Sequence, residues 1–118
     1  MSEHPWRAHD LSTVSGDGDG DGVRWTLEDP DDLNANLVHL GPGSGIGEHV
    51  NDQVDVLVVV LGGSGTATVD EDGPVGLAAQ TVALLPKGSR RRIDAGPDGV
   101  RYLTVHRRRG PLGIRGRS

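Results

Sequence analysis

The stretch GSGIGEHVNDQVDVLVVVLG, residues 43–62, spaces Gly43, His49, Asn51, Asp55 and Gly62 with five, one, three and six residues between them. Its second half is an apolar run. At the two-residue period of a strand, Val56, Val58 and Val60 share one face, and Asp55, Leu57, Val59 and Leu61 share the other. Upstream, His49 and Asn51 lie two apart, so a strand there turns both side chains the same way. Glycines close both ends, which predicts a strand, a short loop and a second strand bounded by turns.

The rest of the chain repeats this texture. Strands are predicted over residues 23–27, 34–40, 54–61, 66–69, 81–85, 90–93 and 100–106, with turns at 29–32, 41–43, 62–65, 70–74, 86–88 and 95–99. The 118 residues suffice for one domain with a modest core. Nineteen Gly, seven Pro, no Phe and only three aromatics suit short strands and tight turns, with Val and Leu filling the core. No Cys is present, so neither disulfides nor thiolate metal sites are available. No apolar run approaches the roughly 18 residues of a membrane span, and no signal-peptide pattern opens the chain, so a cytoplasmic location without membrane attachment is expected. Residues 1–22 end in an Asp-Gly repeat and read as a flexible lead-in, residues 23–106 as the β-domain, and residues 107–118 as a basic tail.

The spacing from Gly43 to Gly62 resembles the first motif of the cupins, G-x5-H-x-H-x3-4-E-x6-G, with Asn51 in place of the second His and Asp55 in place of Glu. Gln80, Pro86, Gly88, Arg91 and Ala95 occupy the positions of the second motif, G-x5-P-x-G-x2-H-x3-N. The chain is therefore similar to small single-domain cupins, and the resemblance implies an all-β, double-stranded β-helix or jelly-roll barrel. It covers residues 34–106. Such barrels often pair, so a homodimer is implied as well.

In a metal-bearing cupin the four matching side chains converge on one ion; here they are His49, Asn51, Asp55 and Arg91. An amide is a poor ligand for first-row metals, and a guanidinium offers five donors and no lone pair. Arg91 is therefore expected to replace the ion electrostatically by pairing with Asp55, and no cofactor is favoured. His39 and His106 are further candidates. With His49 and Asp55, either could complete a three-ligand site for Fe, Mn, Ni or Zn.

Three other signals mislead. Asp17, Asp19, Asp21, Gly22 and Glu28 match the calcium-loop pattern D-x-[DN]-x-[DN]-G-x5-E, but no helical period flanks them and Pro30 follows at once. The clusters at residues 41–47 and 62–65 lack the helix that a phosphate loop needs. Fifteen of the seventeen acids lie in residues 1–72 and ten of the twelve Lys and Arg in residues 87–118. Sequence halves interleave in a barrel, and the net charge is −5, so no nucleic-acid surface is expected.

The expected function is a metal-independent pocket for a small carboxylate-like or enol-like molecule, lined by His49, Asn51, Asp55, Arg91 and His106. Two other readings stay open: a divalent-metal oxygenase or isomerase, and a dimerisation module with a vestigial pocket.

Overall fold

The computed structural model describes residues 7–14, 21–27 and 32–108. Among them a short 3-10 turn, Leu11–Thr13, precedes seven strands: β1 Gly22–Thr26, β2 Leu33–Leu40, β3 Gly45–Val50, β4 Val56–Val69, β5 Val75–Ala78, β6 Val82–Leu85 and β7 Arg90–Arg107. Every pairing is antiparallel. The first part of β7 lies between β3 and β4, and its second part lies between β2 and β4. β4 likewise pairs with β6 early and with β5 late. The two long strands thus belong to two sheets, β1-β2-β7-β4-β6 and β3-β7-β4-β5. This is the double-stranded β-helix that the sequence implied.

Two predicted turns are not turns. Residues 62–65 were expected to close a hairpin and residues 95–99 to separate two strands. Instead β4 runs unbroken for 14 residues and β7 for 18. The register slips between Val60 and Gly62 and again between Gly63 and Gly65, so the strands bend through bulges and pass from one sheet to the other. Glycine is required because the backbones nearly touch. Gly63 has φ +75°, and a Cβ there would overlap the Gly99 carbonyl oxygen; a Cβ at Gly99, φ +77°, would come within 2.7 Å of the Leu40 carbonyl oxygen. Turn-like composition here encodes a corner.

Alternation then builds the core. Val56, Val58 and Val60 share the inward face, as their spacing predicts, while Leu57 and Leu61 on the other face are 36% and 43% exposed. Val38 and Leu40 join them from β2, Val100 and Tyr102 from β7, Leu85 from β6, and Ile93, Ala67 and Leu77 from the second sheet. Burying each Val or Leu contributes about 1.5–3 kcal/mol, so this row holds the sheets together. Leu37, fully buried, lies opposite Trp25 in the β1–β2 register.

The expected lead-in is partly described, and those parts are anchored. Asp10 caps the Leu11–Thr13 turn. Arg101 Nη2 donates to the Leu11 carbonyl at 2.7 Å, and the His9 ring lies 5.2 Å from Trp25. Of the calcium pattern, Asp17, Asp19 and Glu28 lie outside the described residues. Asp21 accepts from the Gly41 N–H at 2.7 Å and from the Ser44 hydroxyl, tying the start of β1 to the β2–β3 turn. Those two hydrogen bonds, Gly41 first, hold its carboxyl below the usual range. Of the expected tail, Arg107 ends β7 and the Arg108 N–H donates to the Asp32 carbonyl at 2.7 Å; residues 109–118 lie outside the described residues.

Candidate functional site

The β3–β4 loop, residues 51–55, and the β6–β7 loop, residues 86–89, meet at one end of the barrel, where the Gly88 N–H donates to the Asn51 carbonyl at 2.7 Å. Inside this end is a cavity of about 200 Å³ walled by both sheets. The first sheet supplies Asn36, Val38, Val56, Val58, Leu85, Tyr102, Thr104 and His106; the second supplies Ile46, His49, Arg91 and Ile93. The wall is graded. His49, Arg91 and His106 lie in the row nearest the loops, and Val38, Ile46, Ile93 and Tyr102 lie deeper.

Arg91 faces inward because it shares the parity of the core residue Ile93, and it is 3% exposed. It pairs with His49 on β3 and Val69 on β4. Its Nη1 donates to the Pro86 carbonyl at 3.1 Å and to the Ser89 hydroxyl at 3.3 Å, which fixes the guanidinium under the β6–β7 loop. His49 and His106 are held alike. The Nδ1–H of His49 donates to the Gly47 carbonyl at 2.9 Å, and that of His106 to the Arg107 carbonyl at 2.8 Å. Since a carbonyl can only accept, these contacts set the tautomer and leave Nε2 of each ring for other partners.

Three of the five residues predicted for the pocket therefore meet there: His49, Arg91 and His106. The other two do not line it. Asn51 turns its carboxamide oxygen onto the N–H groups of Gln53 and Val54, at 2.9 and 3.4 Å, and so shapes the loop. Asp55 lies between buried Val54 and Val56, and alternation sends it outward. There it accepts from the Lys87 N–H at 2.8 Å and lines a broader, outer depression of about 290 Å³ with Gln53, Lys87 and Arg107. The expected Arg91–Asp55 pair is not made.

His39 also fails to join the site. It sits between buried Val38 and Leu40, so it faces outward, into a surface hollow with Asp98 and Arg101. The sets His49–Asp55–His106 and His49–Asp55–His39 are accordingly not assembled. Among the described residues no three His, Cys, Asp or Glu side chains are grouped to hold a metal. The donor set that does line the cavity, two imidazoles beside a permanent cation, does not fit a divalent ion, because the guanidinium would repel it.

Tyr102, Thr104 and Asn36 were missed by the motif. They were within reach of parity, since residues 100, 102, 104 and 106 share a face. Thr104 donates to the Asn36 carbonyl at 3.5 Å, and the Asn36 side chain accepts from Thr26 at 2.8 Å, so both are engaged within the wall. Burial pushes the Tyr102 phenol up to about 12. A folded-state pKa above the unfolded value of about 10 means that this contribution to stability is intact below pH 10 and lost as pH rises through 12. Stability should fall there by about 1.4 kcal/mol per pH unit beyond the loss shown by Tyr102→Phe, measured by urea melts. Tyr102 is the chain's single tyrosine, so its near-ultraviolet absorbance reports the ionisation directly.

Comparison with known proteins agrees with this architecture. No family model matches the chain, and no curated protein does. Solved structures do. A conserved protein with a double-stranded β-helix domain from Klebsiella pneumoniae superposes with a TM-score of 0.73 at 18% identity, over 86% of this chain and 90% of that one. An RmlC-like cupin family protein from Methanocaldococcus jannaschii gives 0.71 at 15% identity, over 91% and 94%. KdgF from a Halomonas species gives 0.67 at 15%, over 91% and 88%. At such identities the fold is what is shared: the chain is a small domain with the cupin fold.

Proposed function

We propose that this domain binds a small carboxylate-like anion in the barrel cavity without a metal. The observation that carries this reading is Arg91, a buried guanidinium in the wall of an otherwise largely apolar cavity, flanked by His49 and near His106. A pocket with apolar sides and a few convergent polar groups is the usual form of a small-molecule site. Arg stays charged and presents a fork matched to a carboxylate, and the Nε2 atoms of the two histidines can add hydrogen bonds. The volume of about 200 Å³ favours a compact ligand.

The reading is tested by melting curves with pentanoate and with its neutral isostere pentanamide, each with and without Fe, Mn, Ni or Zn. Pentanoate should raise the melting temperature and pentanamide should not. Equal shifts would defeat the anion reading. Stoichiometric metal uptake, lost on His49→Ala, would replace it with the metal-dependent one.

A second copy of the chain is the partner we propose for the outer face of the first sheet. Leu57, Leu61, Val82 and Leu84 are 36–60% exposed there, with Val59, Leu103 and Val105 among them, and no charged residue interrupts β4 or β6 on this face. A flat apolar sheet face is self-complementary about a two-fold axis and packs well on its like. Light scattering should give a dimer that becomes a monomer in Leu57→Glu/Leu84→Glu; a wild-type monomer at micromolar concentration would refute the pairing.

A further inference from the structure

Tyr102 is a titratable group in the cavity wall that the anion reading leaves without a task. It is 1% exposed and lies in the deeper row, between Val38 on β2 and Val60 on β4. Its hydroxyl makes no hydrogen bond to any described residue. Buried phenols ordinarily find a hydrogen-bond partner. The neighbouring polar groups Thr104 and Asn36 are already bonded within the wall. With its pKa raised by burial to about 12, the phenol is protonated at any physiological pH and acts as a donor.

We infer that Tyr102 is the inner hydrogen-bond donor of the cavity, and that the ligand is a small acid carrying a second, carbonyl-type oxygen remote from its carboxylate. This rests on the anion reading above. The carboxylate meets Arg91 and His49 near the loops. Ile93, Val58 and Leu85 supply apolar wall, and the second oxygen accepts from Tyr102. Tyr102 lies two side-chain rows deeper than His106 on the same face of β7, with Thr104 between them, so its hydroxyl and the loop-end cation belong to different rows of the wall. An acid with its carbonyl next to the carboxylate would keep both oxygens near the loops, so a 4-oxo or 5-oxo acid fits and a 2-oxo acid does not.

Calorimetric titration of the whole chain with 4-oxopentanoate, 5-oxohexanoate and their parents pentanoate and hexanoate tests this. One oxo acid should bind about tenfold more tightly than its parent, as expected for one added hydrogen bond in the cavity. Tyr102→Phe should erase that gap. A wild-type protein that does not distinguish oxo acid from parent overturns the inference, as does a gap that survives Tyr102→Phe. In the wild type, saturating oxo acid should also move the tyrosine absorbance transition to higher pH than the parent acid does. An unmoved transition counts against the inference even if the variant fails to fold. If no acid binds, or if binding is unaffected by Arg91→Met, the anion reading itself fails and this inference falls with it. Equal binding of oxo acid and parent removes the inference alone.

Discussion

Arg91→Met is expected to weaken pentanoate binding by about ten- to a hundredfold while leaving the fold intact. The loss follows from removing charge-assisted hydrogen bonds, each worth about 1.5–3 kcal/mol where water is excluded. The tolerance follows from the geometry around the guanidinium. The Pro86 carbonyl also accepts from the Ser89 hydroxyl at 2.6 Å and from the Ser89 N–H at 3.1 Å, so it keeps partners when Nη1 is gone. Methionine is unbranched and fills irregular apolar space, so it can lie along Ile93 and Leu85. Thermal melts should show a change of no more than about 2 kcal/mol, within the usual range for one lost hydrogen-bonding group. Arg91→Lys keeps the charge but loses the fork and should bind at an intermediate level. Undiminished pentanoate affinity in Arg91→Met would remove the cation from the mechanism.

The barrel was legible because its evidence is redundant. The spacing from Gly43 to Gly62, the Pro86-x-Gly88 turn and the alternation of Val56, Val58 and Val60 each point to paired strands, and each survives the loss of another. The site was only half legible, because a motif position says which strand a residue sits on and not which way it points. Asp55 illustrates this. Its parity with Leu57, Val59 and Leu61 already opposed it to the inward valines, but the motif drew it into the pocket. The structure followed parity. Arg91 lies in a run of three arginines, and only its shared face with Ile93 separates it from Arg90 and Arg92, which are exposed. Residues 95–99 were unreadable for a different reason. Gly, Pro and Asp are common to turns and to bulged corners, and the choice between them is made by Gly63 and Leu40, which are distant in sequence.

Gly63→Ala should destabilise the protein by about 3–5 kcal/mol, a large part of the 5–15 kcal/mol typical of a domain. Two costs combine. At φ +75° an alanine adopts a conformation that costs about 1–3 kcal/mol when imposed on a residue with a Cβ. The added methyl would also press against Gly99, its carbonyl carbon at 2.9 Å and the Val100 Cα at 2.9 Å, and forced overpacking typically costs about 1–3 kcal/mol more. Neither neighbour can retreat cheaply. Gly99 has little room of its own, since even a Cβ there would meet the Leu40 carbonyl oxygen at 2.7 Å, so a shift toward β2 is opposed. Val100, 1% exposed, belongs to the core row that also holds Tyr102 and Val60. Gly47→Ala is the control, since nothing lies within 4 Å of a Cβ there and its φ is not positive. It should melt within about 1 kcal/mol of the parent, because only the ordinary cost of a surface substitution applies. The corner also sets the angle between the sheets that wall the cavity, so whatever Gly63→Ala remains folded should bind pentanoate weakly although Arg91, His49 and His106 are unchanged. Similar melting curves for the two variants would mean that the chain turns its corner without the close approach of β4 and β7.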